Sequence, residues 1–263
     1  TNLSKHPDIF IPDEKELGYF CEKNYLYPTQ INPLYLNNIK RFESYFSQAD
    51  KKNLLGEGST SYLWDKKAPE KIFEHNPKAK LFAILRDPVE RIISHYKYWL
   101  QIGIIPNKSI SDTIQNRPEM IELGKYATQL KRYFEYFPRN QVRIFFFDDL
   151  LQDKKQILFS AEKFLCVNKF LPHDYSRSVN TSGQARFWWI NRLISSTKTW
   201  IRKRGIDYDK ISYYSKQIGL GSPLQQLIKL NKTKSDLEID HSTRLYLYSF
   251  FSWILITLMI KNQ

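Results

Sequence analysis

The sequence predicts an α/β fold: a parallel sheet with helices on both of its faces. Three observations point there. Residues 81–85 (LFAIL) and 142–147 (VRIFFF) are apolar runs of strand length, and each is followed by a turn and a helical pattern. A third short apolar run lies near Leu54. Strands that alternate with helices signal a parallel sheet, because parallel neighbours need a crossover between them. At 263 residues the chain is long enough for a sizeable core, and residues 1–263 are expected to form one domain.

Taken in order, the chain justifies these elements as follows. Residues 1–5 read as the last turn of a helix, stopped by His6-Pro7. Residues 13–16 (DEKE) are a charged loop. Residues 25–50 are rich in aromatics and asparagine, a loop and then a helix around 39–46. Residues 53–63 (NLLGEGSTSYL) read as a short strand and a turn, in which Glu57 can bond the turn backbone. Residues 69–75 form a short helix ended by Asn76-Pro77. After the strand 81–85, Asp87 is a good N-cap, Pro88 fits the first helical position and Glu90 sits three residues past the cap. Ile92, Tyr96, Trp99 and Leu100 then recur at helical spacing as a core-facing stripe. Residues 103–118 read as a polar loop and 119–137 as one helix, with Leu130, Tyr133, Phe134 and Phe137 on its apolar face. Asp148 and Asp149 suit helix capping and loop hydrogen bonds, and residues 161–167 finish a helix. Residues 192–204 are basic and amphipathic, with Trp188, Trp189 and Trp200 expected on a core face. A last helix covers 240–251.

Composition narrows the partners. The chain has 40 Lys+Arg against 27 Asp+Glu, a formal charge of +13, and 15% aromatic residues. That balance favours anions: nucleotides, acidic glycans, nucleic acid or a membrane surface. A solvated lysine-rich surface gives the same balance. Cys21 and Cys166 have no metal-ligand spacing, lie beside aromatic or aliphatic residues and are expected as buried thiols. The five histidines are scattered, so no metal site is expected. The N-terminus is polar and lacks an apolar signal segment, which suits a cytoplasmic protein. Residues 249–260 (SFFSWILITLMI) are apolar but shorter than the ~20 residues needed to span a bilayer. They are expected as a buried terminal helix or strand, with membrane-surface association as the alternative.

Two polar residues stand out around the first helix. Arg86 sits at the carboxyl end of the strand. Ser94 comes seven residues after Asp87, nearly two turns, and points the same way along the helix. Ligands of α/β folds bind outside the carboxyl ends of strands, and a guanidinium with a hydroxyl suits a phosphate. A helix cap with a surface arginine fits the same residues.

Residues 80–100 resemble the 3'-phosphate-binding segment of sulfotransferases, above all the carbohydrate (heparan-sulfate type) and related bacterial ones. The pattern there is an apolar strand, Arg-Asp/Asn-Pro, and a Ser seven residues after the Asp. It is matched by Arg86, Asp87, Pro88 and Ser94, with Glu90-Arg91 and His95-Tyr96 also typical. Further segments are similar to the family in the right order. Residues 6–9 read His-Pro-x-Ile, and 15–20 (KELGYF) resemble Lys-Glu-x-x-Phe-Phe. Residues 56–62 (GEGSTSY) resemble Gly-Glu-Lys/Ala-Ser/Thr-Pro-x-Tyr, and 124–138 and 240–251 resemble two later helices. Gly58 stands where heparan-type enzymes carry lysine, and Thr60 where proline is usual. These departures lean towards the bacterial branch.

The resemblance implies the P-loop-like parallel sheet of the sulfotransferase fold. It also implies transfer of a sulfuryl group from 3'-phosphoadenosine 5'-phosphosulfate (PAPS), as co-substrate and without a metal, to a hydroxyl or amine of a carbohydrate. It makes Glu16 the general base and Arg86 and Ser94 the 3'-phosphate ligands. Gly183 and Arg186, in a short basic loop, become contacts to the nucleotide. The family's 5'-phosphosulfate loop, Gly-x-x-Lys-x-Gly-Thr, is found at none of the nine glycines. The first strand and its loop are therefore expected to be missing, and catalysis to be impaired. A late start and a degenerate gene give the same result. The alternatives are a non-catalytic nucleotide- or glycan-binding remnant of the same fold, and a basic nucleic-acid-binding protein. No motif beyond the charge supports the latter, so nucleic acid is not expected as a partner.

Overall fold

The computed structural model describes residues 2–22, 25–27, 30–31, 38–49, 54–102, 104–105, 109–176, 184–185, 187–204, 230–233 and 239–251. In chain order the strands are β1 (Ile9–Phe10), β2 (Tyr25–Tyr27), β3 (Gln30–Ile31), β4 (Leu54–Leu55), β5 (Leu81–Leu85), β6 (Val142–Phe146), β7 (Gln184–Ala185) and β8 (Lys232–Thr233). The α-helices are α1 (Ile39–Ser44), α2 (Ala68–His75), α3 (Pro88–Gln101), α4 (Ile110–Asn116), α5 (Glu119–Glu122), α6 (Tyr126–Tyr136), α7 (Phe147–Gln152), α8 (Lys154–Leu165), α9 (Trp188–Lys203) and α10 (His241–Ser249). Contacts divide the chain into two compact units, Thr1–Asp87 with Tyr126–Ser178, and Pro88–Lys125 with Val179–Gln263.

The first unit holds the parallel strands. β1 pairs with β4, and β5 pairs with β6 along all five residues of each. The fold is α/β, as the apolar runs predict. β5 differs from expectation in one respect: its run of five apolar residues is buried on one face only. Ala83 and Leu85 pack with Ile144 against Tyr126, Leu130 and Phe134 of α6. Phe82 and Ile84 point the other way and are exposed. The physical reason is the size of the sheet, since among the described residues β5 and β6 form a two-stranded one. A second cluster gathers Leu17, Phe20, Phe42, Ala68, Ile72, Tyr133 and Phe137, and it anchors the loop that follows β1.

α8 ends on Cys166, a left-handed residue with φ 62° where the family resemblance has glycine. Its amide and that of Val167 close back on the helix, to Lys163 O and Glu162 O. Cys166 is exposed rather than buried, because a residue capping a helix end points into solvent; Cys21 is buried as expected, and neither is in a disulfide. Asp148 and Asp149 lie inside the first turn of α7 instead of capping it, where they favour the helix dipole.

Among its described residues the second unit is mostly helical, with one small antiparallel pair, β7 and β8. Ile92, Tyr96, Trp99 and Leu100 are all buried on α3, as their spacing predicts. The expected polar loop contains α4. Ser109 caps it by accepting from Asp112 N, and Ile110, Thr113 and Ile114 supply a buried stripe short enough to be lost among polar neighbours. The expected single helix over 119–137 is broken into α5 and α6 around Gly124. A Cβ on Gly124 would lie 2.7 Å from the Phe251 ring, so the site admits only glycine without movement.

α9 buries Asn191 and Ile194, whereas Trp189 and Trp200, expected on the core face, are exposed. Eleven residues are about three turns, so these two share a face, opposite Asn191 and Ile194. The buried face is polar in part because Asn191 donates to Gln101 O and accepts from Asn231. Among the described residues no helix is long and apolar enough to cross a membrane. Most of the 249–260 run, residues 252–260, lies outside the described residues.

Candidate active site

The site is built from two segments of the first unit, the loop 16–22 after β1 and the segment 57–65 after β4. Leu17 is fully buried, Phe20 joins it, and Tyr19 stacks on Phe42 with ring centroids 4.5 Å apart. Driving these side chains into the core forces the intervening backbone to turn. Glu16 and Gly18 accordingly take positive φ, 59° and 65°. Glycine accepts this freely, but in a glutamate it costs roughly 1–2 kcal/mol. The loop is held by rungs to the second segment. Thr60 donates twice to Glu16 Oε2, from its amide at 2.9 Å and its hydroxyl at 3.0 Å. Gly18 N donates to Ser59 Oγ at 2.9 Å, Cys21 Sγ to Ser61 Oγ at 3.2 Å, and Glu22 N to Asp65 Oδ2 at 3.0 Å.

Glu57 supports one of these rungs. Its carboxyl accepts from the Ser59 hydroxyl at 2.5 Å. It thus reaches Gly18 through Ser59. Glu57 bonds the side chain of the turn, the Ser59 hydroxyl, rather than the turn backbone expected of it. Burial pushes Glu57 up to about 7, against the pull of its donors, and the nearby Glu16 charge adds to the rise. Glu16 is also raised, by burial, with the two Thr60 bonds and Lys15 opposing. Burial pushes the Cys21 thiol up to about 12, so it stays protonated and structural.

The other expected site residues stand as follows. Arg86 leaves the carboxyl end of β5 with its guanidinium over the Phe147 ring, 5.1 Å from the centroid. Ser94 is half-buried on α3, in the second unit. Gly183 and Arg186 lie outside the described residues. Gly58 faces open space, so a side chain fits there. Glu16 and Glu57 are therefore brought into one cradle, with Arg86 in the same unit. Ser59, Thr60 and Tyr62 hold the cradle together; the sequence reading places them in the 56–62 motif without giving them a role. The signal was present at Thr60, where proline gives way to a residue with two donors. Among the described residues no group of three or more His, Cys, Asp or Glu could hold a metal ion.

In a parallel α/β fold ligands bind outside the carboxyl ends of strands, where Arg86 stands. The sulfotransferase domain family matches residues 24–171, more than half of the chain, and the chain belongs to that family. It is 36% identical over 103 residues to "Membrane-associated sulfotransferase kil1" of Dictyostelium discoideum, covering 38% of this chain and 19% of that protein. It is 27% identical over 161 residues to "Bifunctional heparan sulfate N-deacetylase/N-sulfotransferase 3" of Homo sapiens, covering 56% and 18%. The chain thus spans about a fifth of the length of these relatives. Among solved structures, a sulfotransferase from Alicyclobacillus acidocaldarius superposes with a TM-score of 0.61 at 26% identity, over 74% of this chain and 83% of that one.

Proposed function

We propose that the chain transfers a sulfuryl group from PAPS to a hydroxyl or amine of a carbohydrate, with Glu16 as general base. The observation that carries this reading is the posture of Glu16: a left-handed, half-buried glutamate gripped by Thr60 in the loop where the family resemblance sets its base. In the step, Glu16 takes the acceptor proton as the acceptor oxygen or nitrogen forms a bond to sulfur. The bond from sulfur to the bridging phosphate oxygen breaks in line, and adenosine 3',5'-bisphosphate leaves with the electron pair. Burial, by raising Glu16, brings its basicity closer to a working pH than that of an exposed carboxylate. Arg86, at the end of β5, suits the 3'-phosphate, because a guanidinium offers paired donors in the geometry of phosphate oxygens. Ser94, Gly183 and Arg186 enter this reading through the family resemblance alone. The carbohydrate acceptor is supported by relatives named for heparan sulfate.

The test is transfer from sulfur-labelled PAPS to a desulfated heparan-type glycan. Slow labelling of the glycan above a protein-free blank is expected, since the Gly-x-x-Lys-x-Gly-Thr loop is found at none of the glycines, and Glu16→Gln should lower the rate by a further factor of about 10²–10⁴, the usual worth of a general base. Undiminished transfer by Glu16→Gln contradicts the assignment of the base. No transfer by the wild-type chain, under conditions where it is folded, contradicts the activity.

A further inference from the structure

We propose that Thr60 is a positioning residue for Glu16, its amide and its hydroxyl together holding the carboxylate in one orientation and in its ionised form. The inference deepens the proposed function and rests on Glu16 being the base, yet the grip itself is a matter of geometry. Both donors of one residue converge on one atom, Glu16 Oε2, at 2.9 and 3.0 Å. Thr60 opens a short turn of 3-10 helix, Thr60–Leu63, so its amide is among those left without a partner inside the helix. Glu16 satisfies it from a chain position 44 residues earlier. Ser59, the preceding residue, is buried and fixed between Gly18 N and Glu57, so the donors are presented from a rigid base. A proline at this position has neither an amide hydrogen nor a hydroxyl, and could make no part of the grip.

Burial disfavours the charged form of Glu16, while the hydrogen bonds from Thr60 and the neighbouring Lys15 favour it. Loss of the Thr60 donors must therefore leave Glu16 more easily protonated, and a poorer base at a given pH. Thr60 is exposed, so its replacement does not disturb the core.

The experiment is a pH titration of Glu16 by NMR in the full chain carrying ¹³C-labelled glutamate, the signal assigned by its loss in Glu16→Gln. Thr60→Val keeps the shape and removes the hydroxyl. It should raise the Glu16 midpoint by roughly half a unit to one unit, as expected for a lost bond to a charged group at a partly exposed site. Thr60→Pro removes both donors and should raise it further. Thr60→Ser keeps both and should restore the wild-type midpoint. Thermal melting identifies any variant that fails to fold; if Thr60→Pro does, Thr60→Val and Thr60→Ala, which both keep the amide, test the hydroxyl. Midpoints unchanged in folded Thr60→Val and Thr60→Ala overturn the proposal. The acid limb of kcat/KM for sulfuryl transfer should move with the midpoint. A shifted midpoint without transfer by any variant supports the grip and removes the proposed activity, so the two failures are separable.

Discussion

The cradle around Glu57 and the helix carrying His95 respond to the same event, burial of an ionisable group, in opposite directions. In the cradle, burial raises a carboxyl, so the native state prefers its protonated form. On α3, burial lowers His95 to about 3, helped by Arg91, whose guanidinium meets the imidazole Nδ1 at 3.2 Å; the ring packs edge-on to Trp99. In both places the neutral form is the one the fold accommodates. The consequence for pH is opposite. The His95 contribution is complete above its unfolded value of 6.5 and is lost as pH falls towards 3. The Glu57 contribution is complete below its unfolded value of 4.5 and is lost as pH rises through about 7. Glu57 thus weakens the fold towards alkali, and His95 weakens it towards acid.

The largest effect that sharpens this contrast is expected at His95. Chemical denaturation of the wild-type chain at a series of pH values should show stability falling below about pH 6.5, with His95 contributing on the order of 4 kcal/mol between 6.5 and 3. In His95→Gln, which keeps an acceptor for Arg91, that part of the slope should vanish. An unchanged slope would show that the imidazole charges freely in the folded chain. Next comes Glu57→Gln, which should remove a loss of roughly 2–3 kcal/mol between pH 4.5 and 7. If both variants bend the profile on the same side, the contrast breaks. The smallest effect concerns the backbone. Glu16 and Cys166 are the non-glycine residues with positive φ among those described. Cys166→Gly should stabilise the chain by about 0.5–1 kcal/mol, since glycine relieves the left-handed strain at some cost in unfolded-state entropy. A destabilised Cys166→Gly would mean that the contact of Lys80 Nζ with the sulfur, at 3.0 Å, outweighs that strain.

What could be read from sequence depended on whether the signal was local. The bounds of β5 and the stripe on α3 follow from residue-to-residue periodicity, and both stand. The family was legible too, because Arg86, Asp87, Pro88 and Ser94 form a long ordered pattern. Glu16 could be singled out by its flanking residues. The way it is held could not, because Thr60 reaches it, and Ser59 its neighbour Gly18, across more than 40 residues of chain. The break at Gly124 was hidden for a similar reason: its cause is Phe251, far along the sequence. Trp189 and Trp200 lie on the exposed face of α9 because hydrogen bonds to Asn191, made across long stretches of chain, turn the helix the other way. Exposed Phe82 and Ile84 show that an apolar run specifies a strand without specifying how many of its faces are covered.

The measurement that tests the account most directly is calorimetric titration of the full chain with adenosine 3',5'-bisphosphate, repeated on Arg86→Ala. Arg86 stands at the strand end where an anionic donor is expected, and a guanidinium paired to phosphate is worth about 1.5–3 kcal/mol. The account predicts saturable binding that weakens at least tenfold in Arg86→Ala. Binding that is equally tight in both chains, or absent from a folded wild-type chain, would contradict it.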